Sequence, residues 1–166
     1  MNVKITKGTD RDHIEILRRN GSVTNTTFPK KGLIPHDAIH LIVERELQFK
    51  TAFWGRVFDS AEPREVSALS KAGGHASSSR AGIPDPGIVE LLQAERIVEC
   101  FEAELWGGST DSDTFRCVLN AACSQSKTDC PTLTDKNLER IRTDLQQFMA
   151  RWQSTAIGAS LELEWT

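Results

Sequence analysis

The last residues of the chain, Leu161-Glu162-Leu163-Glu164-Trp165, alternate apolar and acidic side chains, the pattern of a half-buried strand with its carboxylates outward. A single strand leaves its backbone donors and acceptors unpaired, so this one must join a sheet built elsewhere in the chain. The sequence offers strands only at its other end. Residues 2–7 alternate as Asn2-Val3-Lys4-Ile5-Thr6-Lys7, and in residues 13–28 Ile14 and Ile16 alternate with His13 and Glu15 ahead of a Thr-rich run from Val23 to Phe28. Asn20-Gly21 lies between those two runs. That dipeptide favours a two-residue type I′ turn, which sets Arg19 opposite Ser22 and His13 opposite Phe28. The expected fold class is therefore α+β: a small, mainly antiparallel sheet made of the N-terminal strand, the hairpin and the C-terminal strand.

The residues between the two ends carry helical periodicity. From Pro35 to Phe49, the residues Ile39, Ile42, Val43 and Leu47 form one apolar stripe. Phe53, Trp54, Val57 and Phe58 mark a short second helix, with Gly55 as a close-packing point, and a brief turn covers Glu65–Ser70. Asp85-Pro86 opens a strong helix that ends at Gly107-Gly108, with Asp85 as its N-cap. Ser112 caps the next helix and Thr134 the last, in which Leu138, Ile141, Leu145, Phe148 and Trp152 recur at helical spacing. Four or five helices thus cover the sheet, in a single domain over residues 1–166. Residues 71–84, rich in Gly, Ser and Ala, read as a flexible loop.

With a net charge of −3, the chain has no overall electrostatic footprint for nucleic acid or for an anionic membrane. No apolar run reaches the ~20 residues needed to span a bilayer, and the N-terminus lacks an apolar leader, so the expected location is cytoplasmic. The four cysteines, Cys100, Cys117, Cys123 and Cys130, form no Cys-x-x-Cys pair and read as small buried hydrophobes in a reducing compartment. No nucleotide-binding glycine motif is present, which leaves nucleotide cofactors without support. A partner or oligomeric state is not written in this sequence.

One constellation carries chemistry. Pro35-His36-Asp37-Ala38-Ile39-His40-Leu41-Ile42-Val43-Glu44 begins a helix, and two histidines four residues apart stand about 40° apart around its axis and one turn along it. Their imidazoles can meet at one ion, which makes His36, His40 and Glu44 candidate metal ligands for zinc or another divalent ion. Three successive turns span roughly 12 Å, so His36 and Glu44 do not share an ion, and the pair is either His36 with His40 or His40 with Glu44. Further ligands must come from outside the helix, the candidates being His13, Asp59, Glu62 and His75. Asp37 and Glu44 are the candidate catalytic carboxylates, and metal-activated water would serve a hydrolytic or lyase-type step. The alternative is a non-enzymatic binding or protein-interaction module in which the histidines are structural.

Pro35-His36-Asp37-x-x-His40-x-x-Val43-Glu44, followed by Phe53-Trp54-Gly55, resembles the core of a group of small bacterial proteins of uncharacterised activity, over about residues 33–58. The resemblance implies no reaction. His-Asp-x-x-His is also similar to the zinc motif of a ubiquinone-biosynthesis family, where a glutamate follows the second histidine after eleven residues. Ala52 stands at that position here, so the likeness fails at a ligand. Against the zincin proteases, Asp37 replaces a catalytic glutamate and is one methylene shorter, which disfavours proteolysis.

Overall fold

The computed structural model describes residues 1–73 and 84–166. Its sheet is formed by β1 (Asn2–Thr6), β2 (Arg11–Leu17), β3 (Val23–Pro29) and β4 (Ser160–Glu164), in the spatial order β3-β2-β1-β4 with every pairing antiparallel. The two ends of the chain meet as the terminal alternation requires: Val3 pairs with Leu163 and Ile5 with Leu161. Val3, Ile5, Ile14 and Ile16 are all buried on the inner face. Leu161 and Leu163 are only half-buried at this edge, whereas Trp165 is buried and lies against Phe58.

The hairpin forms around Asn20-Gly21, but with a different turn. Arg18 N–H donates to the carbonyl of Ser22 (2.9 Å) and Gly21 N–H to that of Arg18 (3.0 Å). Only Gly21 takes a positive φ, +81°, while the Asn20 carboxamide accepts from the Ser22 amide (2.9 Å). The loop is thus a three-residue turn closed by a left-handed glycine, because Asn20 satisfies Ser22 with its side chain and keeps an ordinary φ. Consequently Leu17 pairs with Val23 and His13 with Thr27, one residue away from the expected register. The slip turns Thr24, Thr26 and Phe28 toward the helices.

Among the described residues six α-helices follow: α1 (His36–Leu47), α2 (Phe53–Phe58), α3 (Pro63–Gly73), α4 (Val89–Gly107), α5 (Ser112–Gln125) and α6 (Asp135–Ser154). The expected turn at Glu65–Ser70 is the middle of α3. Asp85 accepts from Gly87 N–H (2.7 Å), so its cap opens a 3-10 turn that runs into α4. Asp111, not Ser112, caps α5, since its carboxylate accepts the Asp113 and Thr114 amides and Ser112 is already inside the helix. Thr134 caps α6 in a reciprocal box with Asn137. Apart from the end of α3 and residue 84, the segment read as a loop lies outside the described residues, and His75 with it. Cys100 and Cys123 are buried as expected, but Cys130 is half-buried and Cys117 is exposed.

Helix α1 is the centre of the helical layer, packed against α2, α4 and α6. Ala38 through Glu44 are buried without interruption, so the helix is enclosed on all sides rather than along one stripe. Enclosure is what carries polar residues inward. His40 and Glu44 are buried with their apolar neighbours and must find partners there. No helix among the described residues is long and apolar enough to cross a membrane.

Candidate metal centre

The first two turns of α1 place His36 and His40 on the side that faces α4. Their Nε2 atoms are 3.1 Å apart, with the rings edge-on at 67°. Glu95, on α4, brings Oε2 to 3.0 Å from Nε2 of His40 and 3.6 Å from Nε2 of His36. Three ligand atoms of two kinds therefore converge on one point, within 4.8 Å of one another. Their separations are those of a coordination shell: bonds of about 2.1 Å put neighbouring donors about 3.0 Å apart at 90° and about 3.4 Å apart at 109°.

The opposite nitrogen of each ring is engaged by another carboxylate. His36 Nδ1 donates to Glu102 (2.9 Å) and His40 Nδ1 donates to Glu44 (3.0 Å). An ionised carboxylate only accepts, so Nδ1 carries the proton in both rings and Nε2 is left to face the convergence point. Two imidazole lone pairs directed at each other across 3.1 Å repel unless a positive charge lies between them. Burial opposes charge on both histidines, but the carboxylates override it. Glu102 and Glu95 raise His36 to about 9, and Glu44 and Glu95 raise His40 to about 10. This group of residues can hold a metal ion.

Glu44 is completely buried, and its second oxygen accepts the Trp54 backbone N–H (2.7 Å). The Trp54 indole N–H donates in turn to the Asp37 carbonyl (2.9 Å). Helix α2 thus locks α1 at two points. Gly55 makes this approach possible: a Cβ there would come within 2.4 Å of the Phe49 carbonyl oxygen. The spacing from the histidines to Phe53-Trp54-Gly55 is accordingly the spacing needed to fix the Glu44 carboxylate.

Glu44 therefore lies on the Nδ1 side of His40, away from the three converging atoms; both pairs open in the sequence are in contact, His36 with His40 through Nε2 and His40 with Glu44 through Nδ1. The third converging atom comes from Glu95, which sequence reasoning missed. The signal was present: Leu91, Glu95, Val98 and Glu102 recur at helical spacing, so two acidic residues interrupt the apolar face of α4. Of the four expected outside ligands, the three within the described residues do not assemble with the histidines. His13 projects from the exposed face of β2, Asp59 caps α2, Glu62 pairs with Arg18, and His75 is outside the described residues.

A cavity of about 260 Å³ opens over the cluster, lined by His36, Asp37, His40 and Glu95 together with Phe53 and Leu91. Burial pushes the Asp37 carboxyl up, against the pull of both histidines. Comparison with family models, with curated proteins and with solved structures finds no match.

Proposed function

We propose that the chain binds zinc or a neighbouring first-row divalent ion through Nε2 of His36, Nε2 of His40 and the Glu95 carboxylate. The observation that carries this reading is the convergence of those three atoms at 3.0–3.6 Å while both Nδ1 atoms are held by carboxylates. Such histidine–carboxylate pairs fix the tautomer and raise ligand basicity. Glu44 and Glu102 are then positioning residues rather than ligands. Three protein ligands leave a coordination position open toward the cavity, as at catalytic rather than structural zinc sites.

With the ion bound, its chemistry would be to acidify a water molecule for a hydrolytic or lyase-type step. Asp37 lines the same cavity and is the chain's candidate to take the proton, whereas both oxygens of Glu44 are committed elsewhere. The rival, a module with structural histidines, draws on the fact that a single proton on His40 Nε2, facing both His36 Nε2 and the Glu95 carboxylate, also supplies the positive charge these contacts require. Elemental analysis of untagged protein separates the two. Near-stoichiometric metal that disappears in His40→Ala and Glu95→Gln supports the centre. Absence of metal, with no rise in Tm on adding zinc, manganese or ferrous ion, establishes the structural reading.

A further inference from the structure

The cavity over the histidine cluster continues into a second, larger groove of about 700 Å³ between β3 and α3; Phe28, Ser67 and Lys71 line both. The groove contains Arg11, His13, Arg64 and Lys71, and among the described residues none that lines it is acidic. In a chain of net charge −3 this is a local reversal of sign. The Arg11 guanidinium is held by neutral partners, its Nε donating to the Thr27 hydroxyl (3.1 Å) and an Nη to the Thr27 carbonyl (3.0 Å), so its orientation is fixed while its charge stays unneutralised by them. The inner cavity differs in character. There the carboxylates of Asp37 and Glu95 stand beside Phe53 and Leu91, and Lys31 and Lys71 sit on the rim.

These two compartments in series describe a ligand with two ends. An inner reacting group would sit among apolar walls at the ligand atoms, and an outer oxyanion would lie where cations are grouped without carboxylates to compete. We infer that the molecule handled at this centre is a small organic acid, carrying a carboxylate or a phosphate some distance from its reacting group, with Arg11, Arg64 and Lys71 as its anion-binding residues. The inference rests on the metal reading for the inner end only. The outer end stands on the groove itself.

The test uses alkyl hydroxamates of one chain length, whose hydroxamate seeks a metal and whose far end is methyl, carboxylate or phosphonate. On zinc-loaded protein, the two anionic probes should bind about tenfold more tightly than the methyl probe, the scale of a few charge-assisted contacts at an open site. That advantage should shrink with added salt and vanish in Arg11→Glu/Arg64→Glu, whose altered positions line only the outer groove and which should keep its metal and its affinity for the methyl probe. The carboxylate and phosphonate arms report which oxyanion is preferred. Equal affinity for all three probes, or an advantage that survives the double substitution, overturns the inference. If the protein takes up no metal, inorganic pyrophosphate titrated into the metal-free protein decides it: salt-sensitive binding lost in the double variant upholds the groove, and no binding overturns it. Failure of the metal centre and failure of the anion groove are thus read separately.

Discussion

Each oxygen of Glu44 has one donor, His40 Nδ1 on one side and the Trp54 amide on the other. Glu44→Gln keeps the shape but replaces one acceptor with a donor, so one of those bonds is lost whichever way the amide turns. At a fully buried position nothing replaces it. The account predicts a fall in metal affinity of about 10–100-fold for Glu44→Gln, the range for losing a partner of a ligating histidine. Glu102 performs the same service for His36 with 30% of its side chain exposed, so Glu102→Gln should cost less because water can take its place. Competition titration with a chelating dye measures both. Equal affinities in the two variants and the parent would mean that these carboxylates do not orient ligands. At this scale the two histidines and their spacing were legible in the sequence, because helical geometry fixes neighbours one turn apart. Glu95 was not, because the α1–α4 pairing that presents it is tertiary.

Helix α2 is short, and its value lies in what it presses upon. Gly55→Ala would force the helix off the Phe49 and Lys50 carbonyls, with which the new methyl collides at 2.4 and 2.6 Å. The expected cost is about 1–3 kcal/mol, as for overpacking, accompanied by weaker metal binding because Trp54 moves with the helix and takes its amide from Glu44. Loss of stability with unchanged metal affinity would uncouple α2 from the centre. A second junction, between α4 and α6, has an acid limit. The Glu104 carboxylate meets the Arg142 guanidinium fork at 2.7 and 2.9 Å and accepts from Thr110; against the effect of burial, these contacts hold its pKa below the usual carboxylate value. A depressed folded pKa contributes stability above the unfolded value of about 4.3 and loses it as pH falls through the folded one. Glu104→Gln should therefore lower the unfolding free energy at pH 7 by about 1–2 kcal/mol, read as a lower urea midpoint, and the gap should close in acid. A gap that stays constant with pH would contradict this. Capping residues at α6 and the apolar run of α4 were readable locally. The turn type at Asn20-Gly21 was not, because the choice between one and two positive φ values was settled by the Asn20 side chain.

The whole molecule is closed by its ends. β4 supplies the second neighbour of β1, and Trp165 N–H donates to the Met1 carbonyl (2.9 Å) while the Met1 amine donates to that of Trp165 (3.1 Å). Removing residues 160–166 would leave β1 as a bare edge and uncover the place that Trp165 fills. Trp165→Ala alone should cost about 3–5 kcal/mol, and the truncation more. A thermal melt unchanged by the truncation would contradict the topology. The terminal alternation predicted this closure from the sequence, since a strand without a local partner must seek a distant one. The same reasoning could not say that α1 would be enclosed on all sides. That enclosure follows from α4 and α6 closing over it, and it turns a pair of histidines on a helix into a buried, carboxylate-lined centre. The most direct test of that centre is anomalous scattering at the zinc edge from crystals grown with the metal. The account predicts one peak about 2.0–2.2 Å from Nε2 of His36, Nε2 of His40 and a Glu95 oxygen, with Glu44 and Glu102 still on the Nδ1 atoms. No peak there, or zinc bound only elsewhere in the chain, would contradict it.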